Sequence, residues 1–142
     1  MTSYNAPLAE INFVLNDLVD LERITSLPGY EEVTFELVSA ILDEASKLGE
    51  EVLAPLNRVG DIQGCKLENG VVNTPEGFKE AYHKFIEGGW NSLPFDPKYG
   101  GQGLPWLVST AVSEVWHSAN MAFTLCPMLN YGSVKLLHTH GS

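Results

Sequence analysis

"VSAILDEASKLGEEVLAPL", residues Val38 to Leu56, repeats its apolar side chains at the spacing of an α-helix. Val38, Ile41, Leu42, Ala45, Leu48, Val52, Leu53 and Leu56 fall on one face, and Asp43, Glu44, Lys47, Glu50 and Glu51 lie mostly on the other. The pattern predicts the longest helix of the chain, from Glu31 to Leu56. Pro55 sits inside the stripe, where its ring removes a backbone donor and collides with the preceding turn. A kink or local break is expected there.

Working outward, helical periods recur on both sides. Ile11, Val14, Leu15 and Leu18 form a short stripe near the start, with the turn signal Pro28-Gly29 downstream. Beyond Gly60, "CKLENGVVNTP" places Asn69-Gly70 between short apolar runs. That dipeptide accepts the positive φ values of a tight hairpin turn, so a two-stranded excursion is expected near residues 65–74. Thr74-Pro75-Glu76 reads as a helix start, with Thr as N-cap and Pro in the first position. The helix it opens carries Phe78, Ala81, Tyr82, Phe85 and Ile86 on one face and stops at Gly88-Gly89. A further stripe runs through Leu104, Leu107, Val108, Ala111, Val112, Val115 and Trp116, with Pro105 suited to its first turn. The last segment, Met121 to Leu137, is apolar nearly all round although Pro127 and Gly132 interrupt it. A helix of that kind is normally buried on every side. The fold class is therefore all-α, a single helical domain over residues 1–142 with one small hairpin.

Charge excludes one class of partner. The chain carries 18 acidic against 8 basic residues, a net charge of −10, so it lacks the cations that bind a nucleic-acid backbone. No nucleic acid is expected. The acidic residues before Gly60 sit at helix-face positions and read as a solvated surface. Cys65 and Cys126 form no C-x-x-C pair and suggest neither a disulfide framework nor a zinc site. The start shows no signal-peptide pattern, and no stretch approaches about 18 uninterrupted apolar residues, so no transmembrane segment and a cytoplasmic location are expected. The ending "LLHTHGS" looks cut where a linker or further domain would begin.

Candidate chemistry is sparse. Gly100-Gly101-Gln102-Gly103 lacks the third glycine and the preceding strand of a dinucleotide-binding or P-loop motif. His138 and His140 point to different sides of a helix, while His83 and His117 stand alone. No nucleophile elbow and no activated cysteine appears. No catalytic, metal or cofactor-binding residue is assigned.

Residue order says more. "EVLAPLNRVGD", "GVVNTPEGFKEAYHKFIEGGW", "KYGGQGLP", "SANMAF" and "YGS" follow one another in a succession that closely resembles the N-terminal helical domain of acyl-CoA dehydrogenases. It is most similar to the branch containing 3-methylthiopropanoyl-CoA dehydrogenases. The resemblance covers essentially the whole chain, and GGW followed by YGGxGLP is its most specific part. It implies a flavoenzyme that uses FAD to introduce an α,β double bond into an acyl-CoA substrate and passes electrons to an electron-transfer flavoprotein. It also implies that the catalytic carboxylate and nearly all FAD contacts lie in a middle β-domain and a C-terminal helical domain beyond this chain. The full-length enzyme would be a homo-oligomer, and this fragment alone would be inactive. Glu114 matches a family helix position but is expected to be a surface or interdomain acid, not the base.

The family's helix after the "SAN" segment lines the acyl tail. The resemblance thus assigns substrate binding to Ala122, Leu125, Cys126 and Leu129, whose spacing puts them on one face, as an ordinary core face would also require. "FDPKYGGQGLP" would be either a close approach to the neighbouring β-domain or a plain wide turn. The alternative to an enzyme part is a stand-alone helical interaction module that holds a protein partner through the same apolar segment.

Overall fold

The structure, a computed structural model, describes residues 3–141. The expected all-α class holds. Seven α-helices are described, α1 (Leu8–Phe13), α2 (Leu21–Thr25), α3 (Phe35–Leu48), α4 (Ala54–Gln63), α5 (Phe78–Glu87), α6 (Trp106–Ala119) and α7 (Met121–His140), with strands β1 (Lys66–Glu68) and β2 (Val71–Asn73) between α4 and α5.

The Val38–Leu56 stripe faces inward as its period requires, and none of its eight apolar residues is exposed. α3 starts later than Glu31, because Thr34 is its N-cap and its Oγ1 accepts from the Leu37 amide at 3.2 Å. The expected break takes the form of a π-helical turn, Gly49–Leu53, closed by the Ala54 N–H donating to the Gly49 carbonyl. Pro55 then falls in the first turn of α4, where a missing N–H costs little. Gly49 is what lets this wide turn approach α6, since a Cβ there would stand 2.9 Å from Val115 Cγ1.

A second π-helical turn, Val14–Leu18, follows α1 and rotates the first stripe. Ile11 and Leu15 are buried, whereas Val14 and Leu18 swing into solvent. α2 carries no strong sequence signal. Asp20, at φ 54°, turns the chain left-handed and caps α2 by accepting from the Arg23 amide.

The hairpin appears where expected, with Lys66 opposite Asn73, Leu67 opposite Val72 and Glu68 opposite Val71. Asn69 and Gly70 both take positive φ, 52° and 78°, as a type I′ turn demands. All six strand residues are exposed, so the hairpin is an appendage to the helices.

The expected start of α5 is corrected. Thr74, Pro75 and Glu76 are not helical; Gly77, left-handed at φ 81°, is the N-cap and α5 begins at Phe78. Packing decides this, because Gly77 lies against Leu56 of α4 so closely that a Cβ would come within 2.7 Å of its Cδ2. The expected stop at Gly88-Gly89 is observed. The Trp90 amide reaches back to the Phe85 carbonyl and the Gly89 amide to Ile86, a Schellman pair with Gly89 at φ 73°.

The core lies between α3, α5 and α6. Phe85 sits edge-on to both Trp116 and Phe123, with ring centroids 5.8 Å apart in each case, and Trp90 meets Trp116 at 5.1 Å. Pro105 is the residue before α6, not within its first turn, and its carbonyl accepts from Val108 and Ser109.

The burial expected for the last segment is not met within this chain. Of α7 only Phe123, Thr124 and Pro127 are buried; Pro127 and Gly132 do not interrupt the helix. Met121, Leu125, Met128, Leu129, Leu136 and Leu137 are exposed.

Candidate functional site

The position of α7 is set at its N-cap. α6 ends at Ala119, and Asn120 makes the corner in extended backbone, φ −157°. Its side chain is fully buried. The amide oxygen accepts from the Phe123 N–H at 3.0 Å, capping α7, and Nδ2 donates to the Leu53 carbonyl at 3.0 Å, 67 residues away in sequence. Leu53 belongs to the π-helical turn that packs on α6 through Gly49. One amide therefore joins α6, α7 and the wide turn. Thr124, also buried, returns its hydroxyl to the Asn120 and Met121 carbonyls.

A second tether follows eleven residues on. Tyr131 donates its hydroxyl to the Trp90 carbonyl at 2.8 Å, and its ring packs against Phe95 and Trp106 at 5.0 and 6.3 Å. Burial raises its pKa above the ordinary tyrosine value of 10.0, with a smaller opposing pull from Ser109. Between the tethers, Phe123, Thr124 and Pro127 face the bundle. Ala122, Leu125, Cys126 and Leu129 face away together, all exposed. The structure thus brings the four assigned residues onto one face of one helix. That face is apolar throughout, and Leu125 and Leu129 are 47% and 68% exposed.

The glycine loop is folded onto itself. The N–H groups of Gly100, Gly101, Gln102 and Gly103 donate to the Pro97, Asp96, Ser92 and Phe95 carbonyls in turn. None is left to cradle a phosphate, so this stretch does not fit a flavin pyrophosphate. Gly100 and Gly103 are left-handed, at φ 84° and 66°, and a Cβ on Gly101 would overlap the Phe95 carbonyl. Contacts inside the loop account for these three glycines without an approach to another domain.

Glu114 is exposed on α6, as expected of a surface or interdomain acid. His138 and His140 lie in the last turn of α7, exposed, with His138 Nε2 3.7 Å from Asp96 Oδ2. Among the described residues no three acidic, His or Cys side chains gather as a metal site, and no helix is long and apolar enough to cross a membrane.

No protein-family model matches the chain. Individual relatives do. Over 140 residues, 99% of this chain, it is 39% identical to a 3-methylmercaptopropionyl-CoA dehydrogenase of Ruegeria pomeroyi, of which it covers 24%. Its relatives are acyl-CoA dehydrogenases. A butyryl-CoA dehydrogenase of Syntrophomonas wolfei is 26% identical over 99% of this chain and 23% of its own length. A broad-specificity linear acyl-CoA dehydrogenase of Mycobacterium tuberculosis is 25% identical over 86% of this chain and 20% of its own. The chain spans about a quarter of the length of these relatives.

The resemblance to acyl-CoA dehydrogenases carried by the sequence motifs is thereby borne out. Three of those acyl-CoA dehydrogenase-like motifs meet in space. Gln102 of YGGQGLP donates its side-chain amide to the Gly89 carbonyl of GGW at 2.7 Å, and Tyr131 of YGS donates to Trp90. Sequence reasoning missed Asn120 and Tyr131 as the residues that seat α7. Asn at a helix start is a readable cap signal, but the apolar residues on both sides hid it.

Proposed function

We propose that this chain is the N-terminal helical domain of a longer FAD-dependent acyl-CoA dehydrogenase, which forms an α,β double bond in an acyl-CoA thioester. Its own part is to wall the acyl tail with Ala122, Leu125, Cys126 and Leu129. The observation that carries this is the exposed apolar face of α7, held in place by a buried inner face and by the Asn120 and Tyr131 hydrogen bonds. Apolar surface of that extent on one helix calls for a cover. The remainder of the enzyme and the substrate tail supply it.

The chemistry belongs to the rest of the enzyme. FAD would be held by the rest of the enzyme, where it would supply the hydride acceptor for the α,β oxidation, and an electron-transfer flavoprotein would take up the electrons. This chain excludes water from the tail and offers no base. A homo-oligomeric full-length enzyme in the cytoplasm is part of the same proposal.

The test is the full-length protein purified from its complete reading frame. It should be yellow, and its flavin should bleach anaerobically on adding an acyl-CoA, while residues 1–142 alone should be colourless and inert. A stop codon directly after Ser142, with a monodisperse colourless product, would instead support the stand-alone interaction module.

A further inference from the structure

The four wall residues lie between two tethers that never reach the exposed face. Asn120 ties the start of α7 to the Leu53 carbonyl, and Tyr131 ties its middle to the Trp90 carbonyl. Ala122, Leu125, Cys126 and Leu129 all fall between positions 120 and 131. Both tethers are made from the inner side of the helix. The helix is also short of one internal bond there, because Pro127 has no N–H to give. Its line over this stretch therefore depends on the inner face and the two tethers. A supporting shell of this kind fixes the geometry of groups that touch a ligand, and a loose shell displaces them.

We propose that Asn120 and Tyr131 are positioning residues for acyl-chain selectivity. Through them the position of α7, and so the depth of the tail pocket, is set from behind the wall. This rests on the wall role of α7 proposed above. The substrate class it concerns is the linear acyl-CoA series, in which only tail length changes while the thioester stays the same. A displaced wall alters how the tail binds and leaves the reacting carbons alone. The effect should therefore appear in KM for long tails and not in kcat for short ones.

The experiment uses the full-length enzyme with butyryl-, octanoyl- and palmitoyl-CoA, in four variants kept below their measured melting temperatures. Asn120→Ser keeps a hydroxyl to cap Phe123 but is too short to reach Leu53. Tyr131→Phe keeps the ring and removes only the hydroxyl, so it folds even where the first does not. Leu125→Ala and Leu129→Ala alter the wall itself. The expected result is that all four change the long-to-short ratio of kcat/KM by about 3–10-fold through KM, with kcat for butyryl-CoA in Asn120→Ser and Tyr131→Phe within about twofold of wild type. If the wall variants shift the ratio while Asn120→Ser and Tyr131→Phe leave it unchanged, the positioning role is overturned and the wall stands. If Leu125→Ala and Leu129→Ala leave it unchanged, the wall fails and the positioning role goes with it.

Discussion

Gly101 lies against the carbonyl of Phe95 so closely that no side chain fits between them. The neighbouring Gly100 has open space around it but a left-handed backbone at φ 84°. The two glycines are required for different reasons. Gly101→Ala forces backbone apart and should cost about 1–3 kcal/mol or more. Gly100→Ala meets only the left-handed penalty, about 1–2 kcal/mol. Urea denaturation should rank Gly101→Ala as the more damaging; the reverse order contradicts the close approach.

Asn120→Ala removes the cap of α7 and leaves the Leu53 carbonyl without its side-chain partner. The loss should be about 2–3 kcal/mol. Asn120→Ser, which keeps the cap, should lose less. Equal losses in the two variants would mean that the cap on the Phe123 amide contributes little.

Gly49 and Val115 form a pair suited to a double-mutant cycle. Gly49→Ala gains about 1 kcal/mol in helix propensity but drives its methyl onto Val115 Cγ1. Alone it should destabilise. In a Val115→Ala background the same change should become neutral or favourable, and additive effects would show that the π-helical turn does not press on α6.

Tyr131 also predicts a pH dependence. Burial raises its folded pKa above the ordinary 10.0, so the folded state holds the phenol proton more tightly than the unfolded one. Its contribution is complete below about pH 10 and is lost as pH rises through the raised value. Between neutrality and strongly alkaline pH, stability should fall more steeply in the wild type than in Tyr131→Phe. Parallel curves would contradict burial of the hydroxyl.

What could be read from residue order was whatever local chemistry alone decides. Asn69-Gly70 permits few alternatives to a tight hairpin, Gly88-Gly89 stops α5, and the Val38–Leu56 period fixes the inner face of α3 and α4. Thr74-Pro75-Glu76 carries an equally good local signal yet is no helix start, because packing of Gly77 on Leu56 settles the boundary. A break near Pro55 was legible but not its π-helical form or its place at Gly49–Leu53, and the π-helical turn after α1 was not legible at all. The Gly49–Leu53 turn depends on how Gly49 fits Val115, which leaves no mark in composition. At the candidate site, the shared face of Ala122, Leu125, Cys126 and Leu129 followed from spacing alone. Its exposure did not, since a period cannot tell a helix face that meets its own bundle from one that meets something else.

Leu129→Trp in the full-length enzyme probes the α7 wall most directly, because it adds bulk at the more exposed of the two wall leucines without touching the buried inner face. Palmitoyl-CoA turnover should collapse while butyryl-CoA turnover persists at near wild-type kcat. Equal activity of the variant and the wild type on both substrates would contradict a wall at α7.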